Sequence, residues 1–153
     1  MNEFVIKIIA AVIGTLGFTF IFNLRLKHIP FALLDGFVAA VVYLFAFVFF
    51  SNYFISNILA AFAAAVLADI FARAVKAPST VFLIPGCIVL VPGGNLYYSM
   101  SYLISQKFEL AAEQLLLTVE IGIAIGGGII AASLVRYIFN SFLSLIKSKR
   151  KNK

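Results

Sequence analysis

Two Pro-Gly steps, Pro85-Gly86 and Pro92-Gly93, lie seven residues apart inside one apolar stretch of the chain. Each proline removes a backbone donor and crowds the turn before it, and each glycine lets the chain leave helical geometry. The run Pro92-Gly93-Gly94-Asn95 therefore predicts a helix stop followed by a new helix capped by Asn95. The exposed N-terminus of a half-helix offers free amides and the positive end of a dipole, which suits a substrate carboxylate. The Gly94–Tyr97 amides are the expected donors. A proline kink packed on a glycine-rich neighbour is the plainer alternative.

Three carboxylates fall within apolar stretches, where burying a charge is expensive and a role in binding is the default hypothesis. Asp35 has no basic residue four positions on, whereas Asp69 has Arg73 there, so Asp69 also suits an interfacial ion pair. Glu120 comes to a depth similar to that of Tyr97 and Tyr98, and the three can line a vestibule. Tyr98 and Tyr102, one turn apart, equally suit an interfacial aromatic belt. The substrate-binding candidates are thus Pro92, Gly93, Gly94, Asn95, Tyr97, Asp35, Asp69 and Glu120.

Other chemistry finds little support. His28 stands beside Arg25 and Lys27 with no second histidine or acid, Cys87 is the single cysteine, and the serines and threonines lack a base. There is no phosphate-binding glycine loop with its lysine. No enzyme, no metal site and no cofactor is expected.

The elements that must position these residues are membrane spans. Of 153 residues, 63% are hydrophobic and only 12% charged, with a mean hydropathy of +1.10. A soluble domain is about half apolar and a quarter charged, so this chain has too little charge to clothe a wet surface. Five stretches approach the ~20 residues a spanning helix needs: about 4–22, 31–50, 54–72, 81–104 and 115–137. No clean period-2 alternation supports a barrel. The expectation is a single all-α transmembrane domain over residues 1–153, a five-helix bundle whose fourth helix is broken at the Pro-Gly steps.

Charge orients the bundle. With the N-terminus outside, the inner segments carry Arg25, Lys27, Arg73, Lys76, Arg136, Lys147, Lys149, Arg150, Lys151 and Lys153, and the outer ones only Lys7 and Lys107. That asymmetry predicts N-out, C-in. Arg25 and Lys27 follow the first apolar run instead of preceding it, so it reads as a retained helix, not a signal peptide. The net charge of +6 is concentrated in the basic tail within 138–153, which suits anionic lipid headgroups and not nucleic acid. Phe139, Phe142, Leu143 and Ile146 recur on one helical face, as in a short amphipathic helix at the inner surface.

At ~1.5 Å per residue, Pro92 falls roughly 17 Å beyond Val81, and Gly126-Gly127-Gly128 roughly 17–20 Å beyond Leu115. Both levels approach the middle of a ~30 Å hydrocarbon core. Pro85, Gly86 and Gly126–Gly128 are accordingly the expected hinge positions, two backbone openings meeting at the midplane.

The run from Pro78-Ser79-Thr80-Val81 through Pro85-Gly86 to Leu90-Val91-Pro92-Gly93-Gly94 resembles the threonine/serine exporter family. The small membrane subunit of its two-component form is the nearer likeness, over essentially the whole chain, with Asp69 placed before the loop. The resemblance implies export of threonine and serine or of a dicarboxylate such as succinate. It also implies a larger five-helix partner subunit with a cytosolic domain, the two halves being inverted relative to each other. The expected function is therefore one half of a secondary exporter in a bacterial plasma membrane. A non-transporting membrane scaffold or an oligomeric pore component, with homo-oligomers possible, is the alternative.

Overall fold

Alanine decides how closely the helices of this protein approach. The computed structural model describes residues 2–151, with side chains described for 4–141. Its α-helices are α1 (Asn2–Ile21), α2 (Ile29–Phe50), α3 (Tyr53–Val75), α4 (Thr80–Cys87), α5 (Gly93–Ile104) and α6 (Phe108–Lys151). Single 3-10 turns, Leu26–His28 and Ile88–Leu90, precede α2 and follow α4. No strand occurs among the described residues. Phe4–Ile21, Leu26–Phe50, Tyr53–Val75 and Phe108–Ser141 are each long and apolar enough to cross a membrane. Thr80–Leu90 and Gly93–Ile104, bent by 52°, form the fifth candidate if taken as one span.

Left-handed residues end the helices without glycine. Asn23, Ser51, Lys76 and Gln106 all have φ between 48° and 57°. At three of these ends the next amide reaches back to an orphan carbonyl: Leu24 to Thr19 and Ala77 to Ala72 at 3.0 Å, Lys107 to Tyr102 at 2.9 Å. Asn52 starts α3 as an N-cap, its Oδ1 accepting from the Ile55 amide at 3.1 Å.

The bundle is built around α3, which packs on α2, α4 and α6, while α1 lies on α2 and α5 on α6. Between α2 and α3 the buried stripe is largely small: Ala32 and Ala39 against Ala60, Ala61, Ala64 and Ala68. Small side chains let membrane helices meet at close range, where dispersion contacts replace the missing hydrophobic drive. Toward the α3–α4 connection the filling changes to rings, with Phe31, Phe71 and Phe82 edge-on at centroid distances of 5.2–6.2 Å.

Helices α3 and α6 run parallel. Their offset is 67 residues at Asp69 and Arg136, which sets Tyr53 level with Glu120. Consequently α5 and the first three turns of α6 project beyond the α2–α3 turn. This accounts for α6 beginning at Phe108, ahead of the expected residue 115.

Three expectations about the broken backbone are corrected. The Pro85-Gly86 step does not break the chain: Pro85 lies inside α4, which tightens into the 3-10 turn before parting at Val91–Pro92. The new helix starts at Gly93 with Pro92 in the N-cap position, so Asn95 sits in the first turn and is not the cap. Gly126, Gly127 and Gly128 stay helical within α6 and open nothing. Without a proline each glycine keeps its amide, and no glycine has a positive φ. Gly128 instead supplies room: a Cβ there would lie 2.5 Å from the Ile58 carbonyl of α3.

Depth shifts as well. Pro92–Asn95 share a cavity with Tyr53 and Asn57, the first turns of α3. Cys87 packs with Ala64 near the middle of that helix. The break therefore lies toward the α2–α3 turn, while Pro85-Gly86 is level with the middle of α3. Pro92 lies off the level expected from Val81 because α5 projects past the ends of the other helices. The side chains of Phe142, Leu143 and Ile146, and the basic residues of the tail from Lys147, lie outside those described.

Candidate functional site

At the break Val91 is extended, with ψ 128°, and Pro92 is the centre of an inverse γ-turn, with φ −78° and ψ 56°. Proline cannot donate, and the first amides of any helix lack intrahelical acceptors. The Gly93 amide is taken by Val91 O at 2.8 Å and that of Leu96 by Pro92 O at 3.1 Å. Between them, the Gly94 and Asn95 amides are left over, and no side chain caps the helix. They sit where the dipole of α5 is positive.

These amides border a cavity of about 220 Å³ bounded by Tyr43 of α2, Tyr53 and Asn57 of α3, Val89–Asn95 and Ile121 of α6. Asn57 is only 2% exposed. Its Nδ2 donates to the Tyr53 carbonyl at 2.8 Å, while Oδ1 has no partner. A buried amide oxygen left empty is costly, and a ligand supplying a donor would relieve that cost. The residues lining the cavity thus carry donors suited to an anion and, buried just behind its surface, an acceptor suited to an ammonium or hydroxyl, and no charged side chain lines it.

Sequence reasoning reached Pro92, Gly93, Gly94 and Asn95 of this constellation and missed Asn57, Tyr43 and Tyr53. Asn57 had a signal of its own, an amide in an otherwise apolar stretch. Attention to ionisable residues passed it over. The serines and threonines nearby are different, being satisfied by their own helices: Ser56 donates to Asn52 O at 2.7 Å and Ser99 to Leu96 O at 2.8 Å.

The remaining candidates do not line this cavity. Tyr97 is 69% exposed on α5, its ring edge-on to Tyr98, which in turn stacks on Tyr102. Glu120 is exposed on α6, one residue from Ile121. Asp69 lies at the other end of α3, where its ion pair is with Arg136 of α6 and not with Arg73. Asp35 is fully buried on α2, against Gly86.

A second cavity, of about 400 Å³, opens on the α1 flank of the 3-10 turn, between Lys7, Gly14 and Phe18 and the segment Ile88–Leu90. Tyr43, Val89 and Leu90 line both cavities. The 3-10 turn is therefore a thin wall with space on either side.

The sequence model described as Threonine/Serine exporter, ThrE, matches residues 7–135. No curated protein and no solved structure matches the chain.

Proposed function

The chain belongs to the threonine/serine exporter family, and from that premise we propose that it is the small membrane subunit of a two-component exporter of α-amino acids. Membership of this family makes it a multi-pass membrane transport protein. The finer reading is that the Gly94 and Asn95 amides hold the substrate carboxylate while Asn57 Oδ1 accepts from its ammonium group.

One observation carries this reading: residues bearing uncapped backbone donors and a buried, unpartnered side-chain acceptor line the same uncharged cavity. A zwitterion brings no net charge and matches both kinds of group. A dicarboxylate such as succinate brings two negative charges and offers no donor to Asn57, so it is the poorer match.

The orientation proposed is five spans with the N-terminus outside and the C-terminus in the cytoplasm, in a bacterial plasma membrane. The asymmetry of basic residues supports it, and cysteine labelling of intact cells tests it. On this reading the α2–α3 turn and the α5–α6 hairpin face outward. Leu96, Tyr97, Met100, Ile104, Phe108 and Leu116 of that hairpin are all exposed, and Glu120 is exposed within a candidate span. An exposed apolar face of this extent, with a carboxylate at its edge, suits a protein partner, so it is assigned to the inverted larger subunit. A second copy of the chain, forming a scaffold or pore, is the competing occupant.

Efflux from vesicles separates the two. Threonine and serine should leave only vesicles that contain both subunits, with succinate leaving more slowly. Robust, substrate-specific efflux from vesicles holding this chain alone would favour a homo-oligomer.

A further inference from the structure

Asp35 has no ordinary structural explanation. It is 0% exposed, and neither carboxylate oxygen has a hydrogen-bond partner. Its side chain packs directly on Gly86, so closely that a Cβ at that position would overlap Oδ2. The one glycine of α4 is thus the place where the carboxyl group fits.

The surroundings offer nothing to hold a charge. From α1 comes Thr15, which packs against the neighbouring Gly36 and whose hydroxyl is already donated to Ala11 O at 2.9 Å. On α3, alanines including Ala64 and Ala68 pack on this stretch of α2, with the Phe71 ring against Phe31 beyond them. From α4 come buried Phe82 and Pro85, Gly86 itself and the Cys87 thiol, the titratable neighbour. On its own helix Ala32 and Ala39 flank it, and His28 stands nearly two turns away, edge-on to Phe82. Among the described residues no charged side chain acts on Asp35.

An ionised carboxylate without donors or counter-ion is very costly in a protein interior, whereas the neutral acid is tolerable there. The packed state therefore accommodates Asp35 as the acid. The contact is tight enough to exclude a metal cation, which would need several oxygen ligands. Gly86 also belongs to the segment between Pro85 and the 3-10 turn, the thin wall between the two cavities.

We propose that Asp35 is the proton-binding group of this exporter, a latch that is loaded with a proton while α4 is packed on it and releases that proton when the segment moves away. On release the carboxyl O–H bond breaks, its electron pair stays on Asp35, and the proton passes to water admitted by the movement. The carboxylate cannot re-enter its dry contact with Gly86 until it takes up a proton again. Closure of the wall is thereby tied to protonation, and one turnover of the segment carries one proton. The inference rests on the transport reading above for its consequence, but not for the protonation itself.

Two measurements on the full chain keep these apart. Infrared difference spectra of the purified protein near neutral pH should show a protonated-carboxyl band that Asp35→Asn abolishes. Absence of that band from the wild type would overturn the proposal whether or not the protein transports. In vesicles holding both subunits, Asp35→Asn, neutral and of the same shape, should keep threonine exchange at equal concentrations while losing net export driven by a pH gradient. Gradient-driven export retained by the variant would also overturn it. So would loss of exchange together with net export, because Asp35 would then be serving the substrate. If wild-type vesicles move no amino acid at all, the transport reading fails, and the infrared band still decides whether Asp35 holds a proton.

Discussion

Asp69 of α3 accepts a hydrogen bond from Arg136 of α6, an ion pair between side chains 67 positions apart. It fixes the register of two parallel helices at one end, as Gly128 fixes it nearer the other by letting α6 lie against the Ile58 carbonyl. That register delivers Ile121 to the wall of the amide-lined cavity. An ion pair at one end of α3 thus helps to shape a site at the opposite end.

Removing either partner should therefore loosen α6 on α3. Arg136 is 39% and Asp69 15% exposed, so the expected cost is modest, about 1 kcal/mol, as for pairs open to solvent. The reciprocal exchange, Asp69→Arg with Arg136→Asp, should recover part of it, and Arg73→Ala should cost little. Melting in detergent measures this; equal losses from Arg73→Ala and Arg136→Ala would deny the pairing.

Gly128→Leu should be far worse than Gly127→Leu. A Cβ at Gly128 meets the Ile58 carbonyl and, at 2.9 Å, the Ala61 side chain, whereas one at Gly127 meets nothing within 4 Å. Backbone cannot yield as a side chain can, so the penalty at Gly128 is at least the ~1–3 kcal/mol typical of overpacking. Abundance in the membrane and melting temperature both report it. Equal tolerance at the two positions would mean that α6 does not pack on α3 here.

Much of this architecture was legible from residue types, because a bilayer imposes lengths that a sequence cannot hide. The expected spans 4–22, 31–50 and 54–72 coincide closely with α1, α2 and α3, and at Pro92 the chain parts where proline leaves an amide missing. What could not be read was which partner each residue finds across helices. Asp69 looked complete with Arg73 one turn on, yet it pairs with Arg136, since helix offset is set by packing and not by spacing. The same blindness made Gly126–Gly128 look like an opening, when a glycine within a helix can equally be the place where a neighbour comes close. Asn57 was missed because its meaning lies in an oxygen left without a partner, and only the folded neighbourhood reveals that.

Asn57→Leu removes the empty acceptor with little change in volume. If that oxygen receives the substrate ammonium, threonine affinity should fall by about tenfold or more, the equivalent of a hydrogen bond worth ~1.5–3 kcal/mol to a charged group. The protein should be no less stable, because a buried unpartnered oxygen is removed. Equilibrium binding to the purified complex tests both parts; unchanged threonine affinity would remove Asn57 from the site.

The central claim is that backbone amides at the start of α5 hold the substrate carboxylate. Gly94→Pro addresses it most directly, since proline deletes one amide hydrogen and is tolerated in the first turn of a helix, where that hydrogen has no intrahelical partner. Gly94→Ala is the control, because it keeps the amide, and a Cβ at this position meets nothing within 4 Å. The measurement is threonine binding by the two-subunit complex at equal membrane abundance. The amide account predicts near wild-type affinity for Gly94→Ala and a loss of about tenfold or more for Gly94→Pro. Equal affinity in the two variants would show that the break in the backbone is packing and holds no substrate.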